Sequence, residues 1–135
     1  MTVRIRCFDL ADTESILELW GDAGIERPWL DLRAEIIAKV QQDADLFMVA
    51  EEQGEVVGCV MGAYDGWRGW IYHLAVDPAR QRNGIGSRLM RAVEKAMRDR
   101  GIEKVNLQVR HDNQHVAAFY ESIGYADEDL RSFGK

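Results

Sequence analysis

The chain has 135 residues, with 17 Lys and Arg against 23 Asp and Glu and a formal net charge of -6 at pH 7. That length makes one domain, residues 1–135, large enough to bury a real core, and 47% hydrophobic with 30% charged residues is ordinary globular composition. The acidic balance disfavours bulk nucleic-acid binding, no apolar run approaches the ~18 residues of a membrane span, and MTVRIRCFDLADTES has no apolar stretch of signal-peptide length; the expectation is a cytoplasmic protein with neither nucleic acid nor membrane as partner.

In chain order, VRIRCF alternates and predicts a strand. Asp9 then caps a helix to about Trp20, with Ile16, Leu19 and Trp20 on one face. GDAGIERPW reads as a loop, because Arg27 precedes a proline. Asp31 caps a second helix to about Gln42, with Leu32, Ile36 and Val40 in a stripe. LFMVAEE, QG and EVVGCVMGAY predict a hairpin. DGWRG turns again on Asp65-Gly66, and WIYHLAV is the next strand. A third helix runs from about Gly84 to Arg100 and stops at Gly101. KVNLQVR is a strand that this helix can cross over to reach. A fourth helix spans about Asn113 to Ser122, and LRSFGK is a candidate last strand. The class is α/β, with a mixed sheet whose first half is antiparallel and one βαβ crossover in the second.

Cys7 and Cys59 fall on strands and are expected to be small buried hydrophobes in a reducing compartment. His73, His111 and His115 lack metal-binding spacing, so no metal is expected.

Charge concentrates near the third helix. From Asp77 to Arg100 there are seven basic residues (Arg80, Arg82, Arg88, Arg91, Lys95, Arg98, Arg100) against Asp77, Glu94 and Asp99, so the stretch is +4 and the remainder -10. A local positive field in an acidic chain points to one anionic ligand, although an exposed helix face with i,i+4 pairs has the same composition. QRNGIGSRL supplies a place for that ligand: a strand ends, two glycines bare the backbone, and a helix begins whose first N–H groups have no internal partner. A P-loop needs G-x-x-x-x-G-K-[ST], which is absent, and the Rossmann third glycine is replaced by Leu89.

Gln81-Arg82-Asn83-Gly84-Ile85-Gly86 resembles the Q/R-x-x-G-x-G/A signature of the GNAT superfamily of N-acetyltransferases. NQHVAAFYESIGY resembles that family's N-x-x-A-x-x-x-Y-x-x-x-G-[FY] block, with Asn113, Tyr120, Gly124 and Tyr125 in register and Val116 at the alanine position. RPW, GAYDGWRGW and SFGK look closest to the YpeA-type branch. The resemblance implies a single GNAT-like domain with four helices and acetyl-CoA as cofactor. By the same resemblance, the backbone of Leu74, Ala75 and Val76 would meet the pantetheine arm. Arg82, Asn83, Gly84, Ile85, Gly86 and Ser87 would hold the pyrophosphate, Asn113 would be a cofactor-side contact, and Tyr120 would face the sulfur. The expected activity is direct acetyl transfer to a primary amine of a small molecule or peptide N-terminus, the alternative being a catalytically silent CoA-binding module.

Direct transfer needs a neutral amine. A lysine-type amine costs about 4–5 kcal/mol to deprotonate at pH 7 and an α-amine only about 1–1.5 kcal/mol, which favours a small amine or α-amine. Base candidates on the central strands are Glu51, Glu52, Tyr72, His73, Gln108 and Arg110. His73 alone has an unperturbed pKa near neutral, and Glu51 or Glu52 acting through water is the alternative; a hydrogen-bonded structural histidine is the plain reading of His73. Trp29, Trp67 and Trp70, with Arg27, Asp65, Arg68 and Tyr72, can wall an acceptor pocket in which arginine holds a carboxylate. The plainer reading packs Trp29 and Trp70 on the core, and an exposed tryptophan patch would also serve a homodimer contact.

Overall fold

A computed structural model describes residues 2–24 and 31–135. Its elements are β1 (Val3–Cys7), α1 (Thr13–Asp22), α2 (Leu32–Asp43), β2 (Phe47–Glu52), β3 (Glu55–Tyr64), β4 (Gly69–Val76), α3 (Ile85–Asp99), β5 (Val105–Leu107) and α4 (Gln114–Ser122). Local chemistry sets the boundaries. Asp9 accepts from the Ala11 N–H at 2.9 Å and the Asp12 carboxylate accepts from the Asp9 N–H at 2.9 Å, a reciprocal cap on the 3-10 turn that leads into α1. Asp31 accepts from the Ala34 N–H at 3.2 Å to start α2. Gly101, at φ +80°, ends α3.

The five strands lie in the order β1-β2-β3-β4-β5. The first three pairings are antiparallel and β4–β5 is parallel, with α3 as the crossover. One face of the sheet packs on α3 through Ile85, Leu89, Met90, Val93 and Met97, all buried. Each contributes roughly 1.5–3 kcal/mol of burial. Gly62 lets α3 come this close: a Cβ there would lie 2.8 Å from Val93 Cγ2 and 3.0 Å from the Leu46 carbonyl. The other face packs on α1 and α2 through Ile16, Leu19, Trp20 and Ile36.

Strand β4 carries a bulge. Cys59 pairs with Ala75 and Met61 with Tyr72, so Val60 alone opposes His73 and Leu74. His73 takes φ +51° to allow it. The bulge inverts the alternation: Ile71 belongs to the α3-side core and Ala75, four residues on, to the α1/α2-side core.

The expected last strand is not formed. Residues 126–135 have no regular structure, and Leu130 and Phe133 lie exposed. The segment is tied down by side chains, with Asn106 Nδ2 donating to Glu128 at 2.8 Å and Gln108 Nε2 to Ser132 at 2.8 Å, rather than by a backbone ladder. The strand expected over KVNLQVR shrinks to three residues, because β4 offers it partners only from Gly69 to Ile71. Among the described residues no helix is long and apolar enough to cross a membrane.

Candidate active site

Beyond Val76 the chain makes a 3-10 turn, Pro78–Arg80, and then enters α3 through Gln81–Gly84. Two residues there are left-handed, Arg82 at φ +72° and Gly84 at φ +76°. Gly84 is the residue before the helix and provides no side-chain cap. The first helical bond at this end is Arg88 N–H to the Gly84 carbonyl at 3.1 Å. The N–H groups of residues 82–87 therefore find no acceptor among the described residues, at the positive end of a fifteen-residue helix. A Cβ on Gly84 would meet nothing within 4 Å, so the backbone there faces open space. At Gly86 the missing side chain makes room for protein: a Cβ would lie 3.3 Å from Phe119 Cζ. The basic stretch sorts accordingly. Arg80, Lys95 and Arg100 are spent on Asp77, Asp99 and Asp43, whereas Arg82 and Arg88 form no ion pair with a described residue. A run of unbonded donors, an open glycine and two uncommitted arginines fit a diphosphate.

The same turn lies at the end of an opening in the sheet. Pairing of β4 with β5 stops at Ile71–Leu107, and β4 continues to Val76 with that edge unpaired. Leu74, Ala75 and Val76 lie along this edge. Tyr120 of α4 is buried within the α3-side core, its ring edge-on to Phe119 at 5.2 Å and to Tyr125 at 5.7 Å between centroids. Burial pushes the Tyr120 hydroxyl up to about 12, so it is a phenol at any physiological pH. That hydroxyl makes no hydrogen bond to a described residue and is not among the fully enclosed polar atoms. Tyr125 is held by its own hydroxyl, which donates to Glu94 Oε2 at 2.5 Å, and burial followed by the Glu94 bond drives its pKa far up.

On the opposite face of the sheet, His73 lies with its ring 4.9 Å from that of Trp20 between centroids, tilted by 44°. With Trp20, Glu35, Ala38, Lys39, Gln42 and Met61 it lines a cleft of about 280 Å³. Its carbonyl accepts from the Cys59 thiol at 3.8 Å. Burial pushes that thiol up to about 12, against small opposing effects of Trp20 and the Ala75 backbone, so Cys59 is not a nucleophile. No group of side chains that could hold a metal ion occurs among the described residues.

Other residues singled out from the sequence have evident partners. Glu52 Oε1 accepts from Arg80 Nε at 3.3 Å at the β2–β3 hairpin, in register beyond the end of β4. Asp65 takes the N–H groups of Trp67 and Arg68 at 2.8 Å each and Trp70 Nε1 at 3.1 Å. Arg68 donates to Asn106 Oδ1 at 3.2 Å. Asp65, Arg68 and Trp70 thus build the β3–β4 turn, at the end of β4 away from the diphosphate turn. Tyr72 begins the unpaired edge and is exposed. Asn113 Oδ1 caps α4 through the Val116 N–H at 3.3 Å. Trp29 and Arg27 lie outside the described residues. Arg80 and Glu94 support the site too; in the sequence Arg80 is only the basic residue before Gln81, and Glu94 one acid on a basic helix.

The profile of the acetyltransferase (GNAT) family matches residues 10–125. Among solved structures, the chain is similar to Ard1 from Thermoplasma volcanium, at 29% identity and TM-score 0.79, covering 93% of this chain and 84% of that one. It is similar to PaiA N-acetyltransferase from Thermoplasma acidophilum in complex with coenzyme A, at 25% identity and TM-score 0.81, covering 97% and 94%. It is also similar to Naa20 from Chaetomium thermophilum in complex with a bisubstrate analogue, at 27% identity and TM-score 0.75, covering 91% and 70%.

Proposed function

The chain belongs to the acetyltransferase (GNAT) family, whose cofactor is acetyl-CoA, and from that premise we propose that it moves the acetyl group directly to a primary amine of a small molecule or a peptide N-terminus. The observation that carries the proposal is the run of unaccepted N–H groups at residues 82–87, set where β4 parts from β5. In this reading Arg82, Asn83, Gly84, Ile85, Gly86 and Ser87 grip the diphosphate, and the edge of Leu74, Ala75 and Val76 lies beside the pantetheine arm. The likeness to a protein named as an N-acetyltransferase supports nitrogen as the acceptor atom.

Bound there, acetyl-CoA supplies an activated acyl group with a thiolate leaving group. The chain's part is to orient it and to manage protons. Tyr120 holds its proton on Oη and donates a hydrogen bond as charge grows on sulfur. Completing the transfer from a phenol near 12 to a thiolate whose conjugate acid is near ~8.5 is uphill by roughly 5 kcal/mol. On the opposite face, the cleft beside His73 admits the amine, and the imidazole takes the proton that the amine gives up. The gap beyond Leu107, between the face that carries Tyr120 and the face that carries His73, is where thioester and amine would meet. With Cys59 ruled out as a buried nucleophile, direct transfer stands over an acyl-enzyme route through it.

Thiol release from acetyl-CoA, followed over a panel of primary amines, secondary amines, free-N-terminal peptides and alcohols, tests the proposal. Turnover is expected with primary or α-amines. Release with alcohols alone, or with no acceptor while CoA binds, would overturn it, and the second result would instead favour the silent CoA-binding module.

A further inference from the structure

We propose that Arg80 is a positioning residue for acetyl-CoA, a clamp that fixes the diphosphate turn to the β2–β3 hairpin. The inference rests on the reading that residues 82–87 hold the diphosphate.

The turn needs such a clamp. Residues 81–84 are exposed, and two of them sit in left-handed backbone, so little packing holds them. The local bonds nearby stop short of them: Asp77 N–H to the Val57 carbonyl, and Ala79 and Arg80 N–H back to Asp77. Gln81 Nε2 adds a bond to the Val76 carbonyl at 3.3 Å. Yet a row of donors grips an anion well only if it is held in place before the anion arrives.

Arg80 supplies the missing tie. Its guanidinium reaches Asp77 Oδ2 in its own turn at 2.8 Å, Glu52 Oε1 on β2 at 3.3 Å, and Glu55 Oε2 on β3 at 3.7 Å. The planar fork suits three acceptors on three sides, which a lysine's point charge does not. The arginine also offsets three carboxylates gathered beside the turn, whose charge would disfavour an anion there. Arg80 therefore acts on the ligand through the turn and through charge balance, without touching it. Glu52 finds its role in the same place, as the clamp's anchor on β2.

Calorimetric titration with CoA and steady-state kinetics test this on the full chain. Arg80→Gln should weaken CoA binding about tenfold and raise KM for acetyl-CoA in step, with kcat at saturation within about twofold. Arg80→Lys, which keeps the charge, should fall between. Glu52→Gln should weaken CoA binding about threefold, and the double variant should be no worse than Arg80→Gln alone. A folded Arg80→Gln that binds CoA like the parent, or loses kcat with Kd unchanged, overturns the clamp. Should Arg80→Gln fail to fold, Arg80→Lys and Glu52→Gln decide on the same readings. If Glu52→Gln keeps Kd but loses the acidic limb of the kcat profile, Glu52 is a base and not an anchor. A parent chain that does not bind CoA, or a Gly84→Val chain that binds it undiminished, sinks the diphosphate site itself and the clamp with it.

Discussion

Replacing Tyr120 with Phe removes one oxygen and leaves the ring in its place between Phe119 and Tyr125. The edge-on contacts and the burial are those of a ring, so the variant should fold like the parent. On the proposed reading, what disappears is the donor to the charge that develops on sulfur. A hydrogen bond to a charged group has a net worth of about 1.5–3 kcal/mol. If that bond forms mainly in the transition state, kcat should fall by roughly 10- to 150-fold at ~1.4 kcal/mol per decade. Affinity for CoA should change by less than about twofold.

The pH dependence sharpens the test. With its hydroxyl pushed up to about 12 by burial, Tyr120 keeps its proton throughout an ordinary assay range. The kcat profile should then carry no basic limb from this residue below about pH 10. Thiol release at saturating amine and acetyl-CoA gives kcat, and calorimetry with CoA gives Kd. A fully active Tyr120→Phe would refute the hydrogen-bond role. So would a basic limb below pH 10 that vanishes in the variant, because that would require a phenol lowered by its surroundings rather than raised.

Three further outcomes are expected. Gly84→Val should abolish measurable CoA binding while the chain stays folded: its Cβ meets no protein atom, but φ +76° strains a branched residue and the new methyls enter the space before the donors. Gly62→Ala should destabilise by about 1–3 kcal/mol in a denaturant melt, since its Cβ would lie 2.8 Å from Val93 Cγ2 and 2.9 Å from Met97 Cε; an unchanged midpoint would mean that α3 is loosely seated. Asp12→Asn should cost about 2 kcal/mol at pH 7, because the Arg6 guanidinium, 2.8 and 2.9 Å away, holds the Asp12 carboxyl below the usual carboxylate range. The folded-state value is depressed, so that stability is present above about pH 3.9 and is lost as pH falls through the folded-state value. The gap between parent and variant should therefore close in acid melts, and a gap that widens there would contradict the pairing.

The sequence was most legible where one residue type answers one local requirement. Asp9 and Asp31 were each positioned to cap a helical segment, and each does so through its side chain, Asp9 on the 3-10 turn that leads into α1; Asn113, expected only as a cofactor-side contact, caps α4. The glycine turn before α3 was readable because unbonded helix N–H groups and positive φ leave few alternatives. Long-range pairing was harder to read. Glu52 looked like a base because strands alternate and one acidic side chain must face water; nothing near it in sequence announces Arg80, twenty-eight positions away. Asp65, Arg68 and Trp70 looked like a pocket wall because they cluster in sequence. They cluster in space as well, but as the internal bonding of a turn. The LRSFGK segment has a strand-like composition without a ladder to join, and composition alone does not supply one.

The bulge in β4 is the feature that alternation conceals, and it decides which face of the sheet His73 joins. In a regular strand Ile71, His73 and Ala75 would share one face. The extra residue opposite Val60 sends Ile71 toward α3 and Ala75 toward α1 and α2, and His73 goes with Ala75 to lie against Trp20. Without the bulge the imidazole would point into the same core as Tyr120. With it, Tyr120 and His73 stand on opposite faces of the sheet. His73 takes its left-handed conformation, φ +51°, where the strand edge opens, and histidine is among the residues that adopt this region more readily than most. On the proposed reading, the bulge at His73 and the parting of β4 from β5 would together give thioester and amine separate approaches to a common gap.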